Sequence, residues 1–483
     1  MTKNPTNVWP VDLPLQLDRG AGSQVLRIYL ALRDSILSGR LPPQSRLPAS
    51  RALAGQLGVR RNAVVAAYER LLADELVEAR TGAGTFVAPS VPVGVVRPPT
   101  EPTVETTAAP TIFALGRTHA EPQIRDDLRR AVARHLRHFD DAHLAYGDPR
   151  GSRALREQIA AHLAVNRGIL CDPDHVVVVS GMQQGLRLAL GTVVAPGHSV
   201  WMEDPGYPAA RQAIEGAGAR AVPVPVPVDG GGLDVAEGVR RAGAAQAAYV
   251  TPSHQFPTGV VMSMARRVEL LAWAERTGAW ILEDDYDSEF RYAGPPLTAL
   301  AGLDRARRVI YFGTFSKVLF PGLRLGYVVL PPDLLEPTLA ARQAMDRFPP
   351  TLLEGAVADL MARGDLSAHI RRVRTRYRHA RDLLAATLQG HAEGRLQVTV
   401  PEQGLHLVAR LIGNPPPGTA ARLQDMARIG GRLLSETRIK PQAEDGFVLG
   451  FSGHDLAEVK AGALRLCAAL AEGGAADVTP PRS

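Results

Sequence analysis

The chain has 483 residues, a net charge of +6, 45% apolar and 22% charged residues. That length exceeds what one hydrophobic core holds, so two or more domains of globular composition are expected. The chain has no apolar run of membrane-span length and no secretion-type apolar segment near Met1, and its two cysteines, Cys171 and Cys467, have no CxxC spacing, so a cytoplasmic protein without a disulfide framework, metal site or membrane partner is expected.

In chain order, QVLRIYLALRDSILSGRL predicts a helix that stops at Gly39. PASRALAGQLGV predicts a short helix with Ser50 as N-cap, closed by Gly58. RRNAVVAAYERLLADEL predicts a second helix with Val64, Ala67, Tyr68, Leu71 and Leu72 at core spacing. Two helices joined through LGVRR are a helix-turn-helix pattern, and LVEARTGAGTFVAP adds two short strands about a Gly-rich turn, a wing. From Arg40 to Arg61 there are five arginines and no acid. A solvated basic surface explains that as readily as a nucleic-acid footprint does. The position of Arg60, Arg61 and Asn62 at the start of the second helix favours the footprint. That end enters the major groove in this motif, where Arg pairs with guanine and Asn with adenine. Arg51 is placed to hold a phosphate or a base. The stretch 14–87 resembles the winged-helix domain of GntR regulators in ILSGRL, RLPASRALAGQLGVRRNAV, AYERL and GAGTFV. Arg60 departs from the Ser or Thr usual there. A double-stranded DNA operator is the implied partner.

Residues 88–110, APSVPVGVVRPPTEPTVETTAAP, hold six prolines and few charges, and predict a semi-stiff linker. We place a DNA-binding domain at 12–88, the linker at 89–111 and a second domain at 112–483. In that second domain HVVVVSG, AAYVTP, AWILEDD and RVIYFGTFS read as buried parallel strands. They alternate with helical stretches, MQQGLRLALGTVV and MARRVELLAWAERTG, so an α/β fold is expected. A long helix, LSAHIRRVRTRYRHARDLLAATL, and the strands GLHLVARL and GFVLGFS suggest a smaller C-terminal α+β lobe.

Only four residues are lysine, Lys3, Lys317, Lys440 and Lys460; the rest of the 55 Lys and Arg residues are arginine. Arginine keeps its proton near neutral pH, whereas a desolvated lysine gives it up. Lys317 lies in GTFSKVLFPGLRLGY, a small-residue, apolar, strand-like stretch. An amine so placed suits Schiff-base chemistry. The usual partner, pyridoxal 5′-phosphate (PLP), also needs an acid at its ring nitrogen, a phosphate cradle and an aromatic face. In EDDYDSEF, Asp284 ends a strand and supplies the acid, and Tyr286, two residues on, is placed to donate to the ring's O3′. Alone, that acidic turn reads equally as a solvated loop or a magnesium site. Gly181, Met182 and Gln183 in SGMQQGL follow a strand and open a helix, which offers free N–H groups to a phosphate. Thr314, Ser316 and Arg324 flank the lysine and are placed to complete the cradle. Tyr207 in EDPGYP is a ring-stacking aromatic or a packing tyrosine.

Residues 112–470 resemble fold type I aminotransferases in YGDPRG, SGMQQGL, EDPGYP, TPSHQFPTG, EDDYDSEF and TFSKVLFPGLRLGY. The resemblance implies PLP held as an aldimine on Lys317, with Asp284 at the pyridine nitrogen, Tyr286 at O3′, and Thr314, Ser316 and Arg324 at the phosphate. It also implies that Tyr146 reaches the phosphate of a neighbouring subunit, hence a dimer. Phe256, after His254 and Gln255, departs from the Asn of the aminotransferase NPTG. Arg438 in SETRIK is the candidate for the arginine that takes a substrate or effector carboxylate. Joined to the winged helix, the whole resembles the MocR family: transcription factors that form head-to-tail homodimers and respond to PLP or a small amino compound. A working aminotransferase with an accessory DNA-binding domain, or a PLP sensor that binds no amino acid, are the other readings.

Overall fold

The computed structural model describes residues 22–91, 111–138, 145–227, 231–413, 415–442 and 444–476. Residues 12–21 of the expected DNA-binding domain and 92–110 of the expected linker lie outside them. The chain divides into two compact units, Met1–Thr106 and Thr107–Ser483.

The first unit is built on three helices, α1 Gln24–Leu37, α2 Ser50–Leu57 and α3 Arg61–Ala73. Ser23 caps α1, its Oγ accepting from the Leu26 N–H at 3.3 Å. The cap of α2 departs from expectation: Ala49, not Ser50, stands there. The Tyr68 hydroxyl donates to the Pro48 carbonyl at 2.7 Å just before the helix, while the Ser50 hydroxyl accepts from Arg61 Nε at 3.3 Å. Gly58 closes α2 at φ +64°, where a side chain would be strained. Ile28, Leu32 and Ile36 of α1 pack with Val64, Ala67 and Leu71 of α3, all buried; Leu72 is half-buried at the edge. Each of these Ile, Leu and Val side chains contributes about 1.5–3 kcal/mol by leaving water. The wing follows as β1 Val77–Arg80 paired antiparallel with β2 Gly84–Val87, Val77 opposite Val87.

The second unit is organised on a seven-stranded sheet: β3 Val176–Val179, β4 Ser199–Asp204, β5 Arg220–Pro225, β6 Ala247–Val250, β7 Trp280–Asp285, β8 Val309–Thr314 and β9 Gly326–Val329, in the order β3-β9-β8-β7-β6-β4-β5. The contiguous strands β5-β4-β6-β7-β8 are parallel, but β9 is antiparallel to both β8 and β3. The run around 175–181 therefore does not pair in parallel as expected. The connection from β8 to β9 has no crossover helix; the chain turns back on itself and inserts a reversed strand. Helices cover both faces: Leu186, Ala189 and Leu190 of Met182–Val193 pack on one side, Leu270, Trp273 and Ala274 of Met264–Thr277 on the other. A smaller antiparallel sheet, β10 Leu396–Thr399, β11 His406–Leu411, β12 Arg432–Leu433 and β13 Gly446–Gly450, has the order β10-β11-β13-β12. The long helix Asp365–His391 and the helix Leu456–Ala476 bury Tyr377, Leu384, Val459 and Leu466 in the same core as Leu407 and Phe447 of that sheet. No helix among the described residues is long and apolar enough to cross a membrane.

Candidate functional site

A cavity of about 350 Å³ opens beyond the C-terminal ends of β6, β7 and β8. Crevices at that edge of an α/β sheet are where ligands bind. Its walls bring together Lys317, Asp284, Tyr286, Met182, Gln183, Tyr207, Thr314, Ser316 and Arg324, all singled out from sequence.

Lys317 follows β8 on a turn in which the Ser316 N–H donates to Thr314 Oγ1 at 3.1 Å. Burial pulls its amine below the ordinary lysine range, opposed by the charges of Asp287 and Asp284. A lysine moved that way is a nucleophile nearer neutral pH. A Cβ on Gly116, at φ +77°, would stand 2.7 Å from Lys317 Nζ, so the backbone there lies directly against the amine.

Asp284 is 5% exposed and accepts from the Tyr249 hydroxyl at 2.5 Å. Burial pushes its carboxyl up to about 7, with the Tyr249 hydrogen bond and the Lys317 charge pulling the other way. The acidic run does not behave as a solvated loop. Glu283 accepts from the N–H groups of Leu300 and Ala301, each at 2.8 Å. Asp285 turns to Arg167 at 2.7 Å and to the Tyr311 hydroxyl at 2.6 Å. Asp287 pairs with His254 at 2.9 Å. Its members take separate partners, and Asp284 and Tyr286 share the cavity as their two-residue spacing predicts.

The helix Met182–Val193 starts at Gly181, whose φ of +108° turns the chain and whose position carries no side-chain cap. Met182 and Gln183 of its first turn line the cavity, which sets the positive dipole end of the helix at that rim. Arg324 stands over it: a Cβ on Gly181 would lie 3.5 Å from Arg324 Nη1. Tyr207 meets Phe256 edge-on, ring centroids 5.5 Å apart, both in the cavity wall.

Two singled-out residues lie elsewhere. Tyr146 is 77% exposed and packs edge-on against Phe348, outside the cavity of its own chain. Arg438 is not in the wall either; its side chain, 7% exposed, faces Glu444 at 3.5 Å. Arg432 lines the cavity instead, carried there by β12. Sequence reasoning also missed Tyr249, Thr251 and His406 of the lining. His406 of the lining, with His254 and Asp287 behind it, gathers buried ligating atoms within 4.8 Å of one another. Within this group His254 Nδ1 contacts Asp287 Oδ2 at 2.9 Å and His406 Nε2 contacts the Pro257 carbonyl at 3.0 Å.

In the first unit Arg51, Arg60 and Asn62 are exposed at the starts of α2 and α3. Arg61 is exposed too but tied to Ser50. Two further arginines stand at the wing. Arg46 bridges Phe86 and lies along Gly84, and the Arg80 guanidinium covers the Phe86 ring at 4.5 Å.

Residues 24–87 match bacterial regulatory proteins of the gntR family, and residues 121–466 match aminotransferases of class I and II. Fold and site thus define a DNA-binding transcription regulator that carries a fold type I aminotransferase-like domain. The chain belongs to the MocR-type regulators of the gntR family. It is 34% identical to the "Probable rhizopine catabolism regulatory protein MocR" of Rhizobium meliloti, over 91% of this chain and 92% of that one. It is 32% identical to the pyridoxine biosynthesis transcriptional regulator PdxR of Corynebacterium glutamicum, over 92% and 95%. Among solved structures, the kynurenine aminotransferase of Pyrococcus horikoshii superposes with a TM-score of 0.69 at 26% identity, covering 76% of this chain and 92% of that one.

Proposed function

We propose that the protein is a PLP-dependent regulator: the winged unit binds a DNA operator, and the aminotransferase-like unit senses PLP, a small amino compound, or both, through a Schiff base at Lys317. The observation that carries this reading is the meeting of unlike groups in one cavity: Lys317, the buried Asp284, Arg324 and the first turn of Met182–Val193. That donor set fits PLP. Asp284 takes the ring nitrogen, Tyr286 the ring hydroxyl and Tyr207 a ring face. Gly181, Met182, Gln183, Thr314, Ser316 and Arg324 take the phosphate. The cofactor supplies an electrophilic carbon and an electron sink; the chain supplies the amine, the orientation and the exclusion of water. Arg432 replaces Arg438 as our assignment for an effector carboxylate. The name of the relative PdxR, a pyridoxine biosynthesis regulator, and the PMP bound in the Pyrococcus neighbour support the cofactor.

In this reading a cytoplasmic chain has its DNA reader at 12–88, a linker at 89–111 and the sensing domain at 112–483. It forms a head-to-tail homodimer in which the exposed Tyr146 of each subunit reaches the other's phosphate site. Arg51, Arg60, Arg61 and Asn62 read the operator. PLP or an amino compound alters DNA affinity by binding two arrangements of the dimer unequally. The test is operator binding upstream of the protein's own gene, with PLP removed and restored, for wild type and Lys317→Ala. A PLP effect lost in Lys317→Ala supports the reading. A full effect surviving in that variant overturns it, and steady turnover of an amino donor and a keto acceptor without specific DNA binding makes the protein an aminotransferase.

A further inference from the structure

We propose that Asp287 and His254 form a positioning pair for the cavity, gripping the Tyr286 hydroxyl from behind; this rests on the reading of Lys317 as the cofactor's lysine. His254 and Asp287 are each 1% exposed, and neither lines the cavity, whereas Tyr286 and Lys317 do. The His254 ring nitrogen Nδ1 stands 2.9 Å from Asp287 Oδ2 and 3.1 Å from the Tyr286 hydroxyl. The same hydroxyl donates to the His254 carbonyl at 3.0 Å. One histidine thus meets the phenol through its carbonyl and Nδ1, and the carboxylate through the same Nδ1.

The backbone is shaped to this pair. Gly404, at φ +92°, runs so close that a Cβ there would lie 2.2 Å from His254 Nδ1 and 2.7 Å from Asp287 Oδ2. Gly259, at φ +77°, would place a Cβ 3.2 Å from His254 Nε2. Among the described residues, Asp287 Oδ1 and His254 Nε2 are buried and have no hydrogen-bond partner.

The electrostatics run in the same direction. Of the two carboxylates that favour the charged form of Lys317, Asp287 acts more strongly than Asp284. Burial raises the Asp287 carboxyl, His254 opposes that rise, and Asp285 and Glu289 add to it. Tyr286 and Tyr292 both feel the Asp287 charge. His406, whose ring lies 5.0 Å from that of His254, is pushed by burial down to about 3 and stays neutral.

The test uses the full chain loaded with PLP and reads its visible absorbance against pH. Asp287→Asn is expected to lower the pH midpoint of the spectral change by about one unit, because the charged nitrogen of Lys317 loses an anionic neighbour. Asp287→Glu is expected to keep the wild-type midpoint. In a Tyr286→Phe background, Asp287→Asn is expected to move it less. An Asp287→Asn protein with lowered melting temperature and an unmoved midpoint overturns the proposal. Where Asp287→Asn does not fold, His254→Gln reads the same midpoint, and no shift there overturns it equally. A wild-type protein that gains no Lys317-dependent visible band sinks the cofactor reading and this proposal with it, a result distinguished by the wild-type spectrum alone.

Discussion

Arg432 and Val448 stand opposite each other in the β12–β13 pairing, and that register delivers a guanidinium to the cavity wall. Among the described residues its ion-pair partner is Glu436, 4.0 Å away and more than half exposed, which leaves the guanidinium capacity for an incoming anion. Arg432→Ala is expected to weaken the response to an amino acid effector roughly 10- to 100-fold, the worth of one charged hydrogen-bond partner. PLP loading and operator affinity without effector should stay as they are. Titration of the PLP-loaded protein with candidate amino acids, followed by absorbance, checks this; an unchanged midpoint removes Arg432 from the effector site.

Gly116 sets a second expectation. A methyl group there would meet the Lys317 amine at 2.7 Å and would also hold a φ of +77°. Gly116→Ala should load PLP more slowly and less tightly while the winged unit folds and binds DNA normally. Unaltered loading kinetics would show that the amine has room to move away.

Glu203 carries a pH dependence. It is 1% exposed behind Thr251, whose hydroxyl donates to it at 2.6 Å, and its Oε1 has no partner. Burial pushes its carboxyl up to about 7. The folded value lies above the unfolded one near 4, so folding takes up a proton between roughly pH 4 and 7. The resulting stabilisation is full below that window and is lost as pH rises through the folded value. PLP-free protein should melt at progressively lower temperature from about pH 5 to about pH 8, and Glu203→Gln, which does not ionise, should flatten the trend. Calorimetry across that range decides it; an undiminished slope assigns the trend to other buried acids, such as Asp284.

The winged unit separates affinity from selectivity. Arg46 lies on the wing, away from the first turn of α3. Arg46→Ala should weaken binding to all sequences alike and reduce the salt slope by about one. Asn62→Ala, at the entry of α3, should cost about 1–3 kcal/mol on the operator and little on unrelated DNA. Salt titrations of both variants on operator and random duplex make the comparison.

Much of the site was legible because its residues sit at ends of elements. Asp284, Thr314 and Gly181 each follow a run of β-branched or aromatic residues, and such runs announce where a strand stops and its side chains turn to the crevice. What stayed hidden depends on pairing between distant segments. GYVV reads the same in either direction, so the reversal of β9 was invisible. Nothing local distinguishes Arg432 from Arg438, because β12 is two residues long and only its register with β13 selects the first. Tyr249 looks like one more core residue of AAYV until its hydroxyl is seen against Asp284.

The near-absence of lysine has a practical side. An aldehyde condenses with any accessible neutral amine, and a protein rich in surface lysine carries many places where PLP is captured without purpose. Among the described residues the only other lysines are Lys440 and Lys460, both exposed and surrounded by a chain that places its positive charge on arginine. Arginine supplies the same attraction for DNA phosphates and does not form imines under ordinary conditions. A chain so composed would offer PLP few competing amines, and if PLP is held as proposed, hydride reduction of the loaded protein should leave its label concentrated in one peptide, the one that contains Lys317.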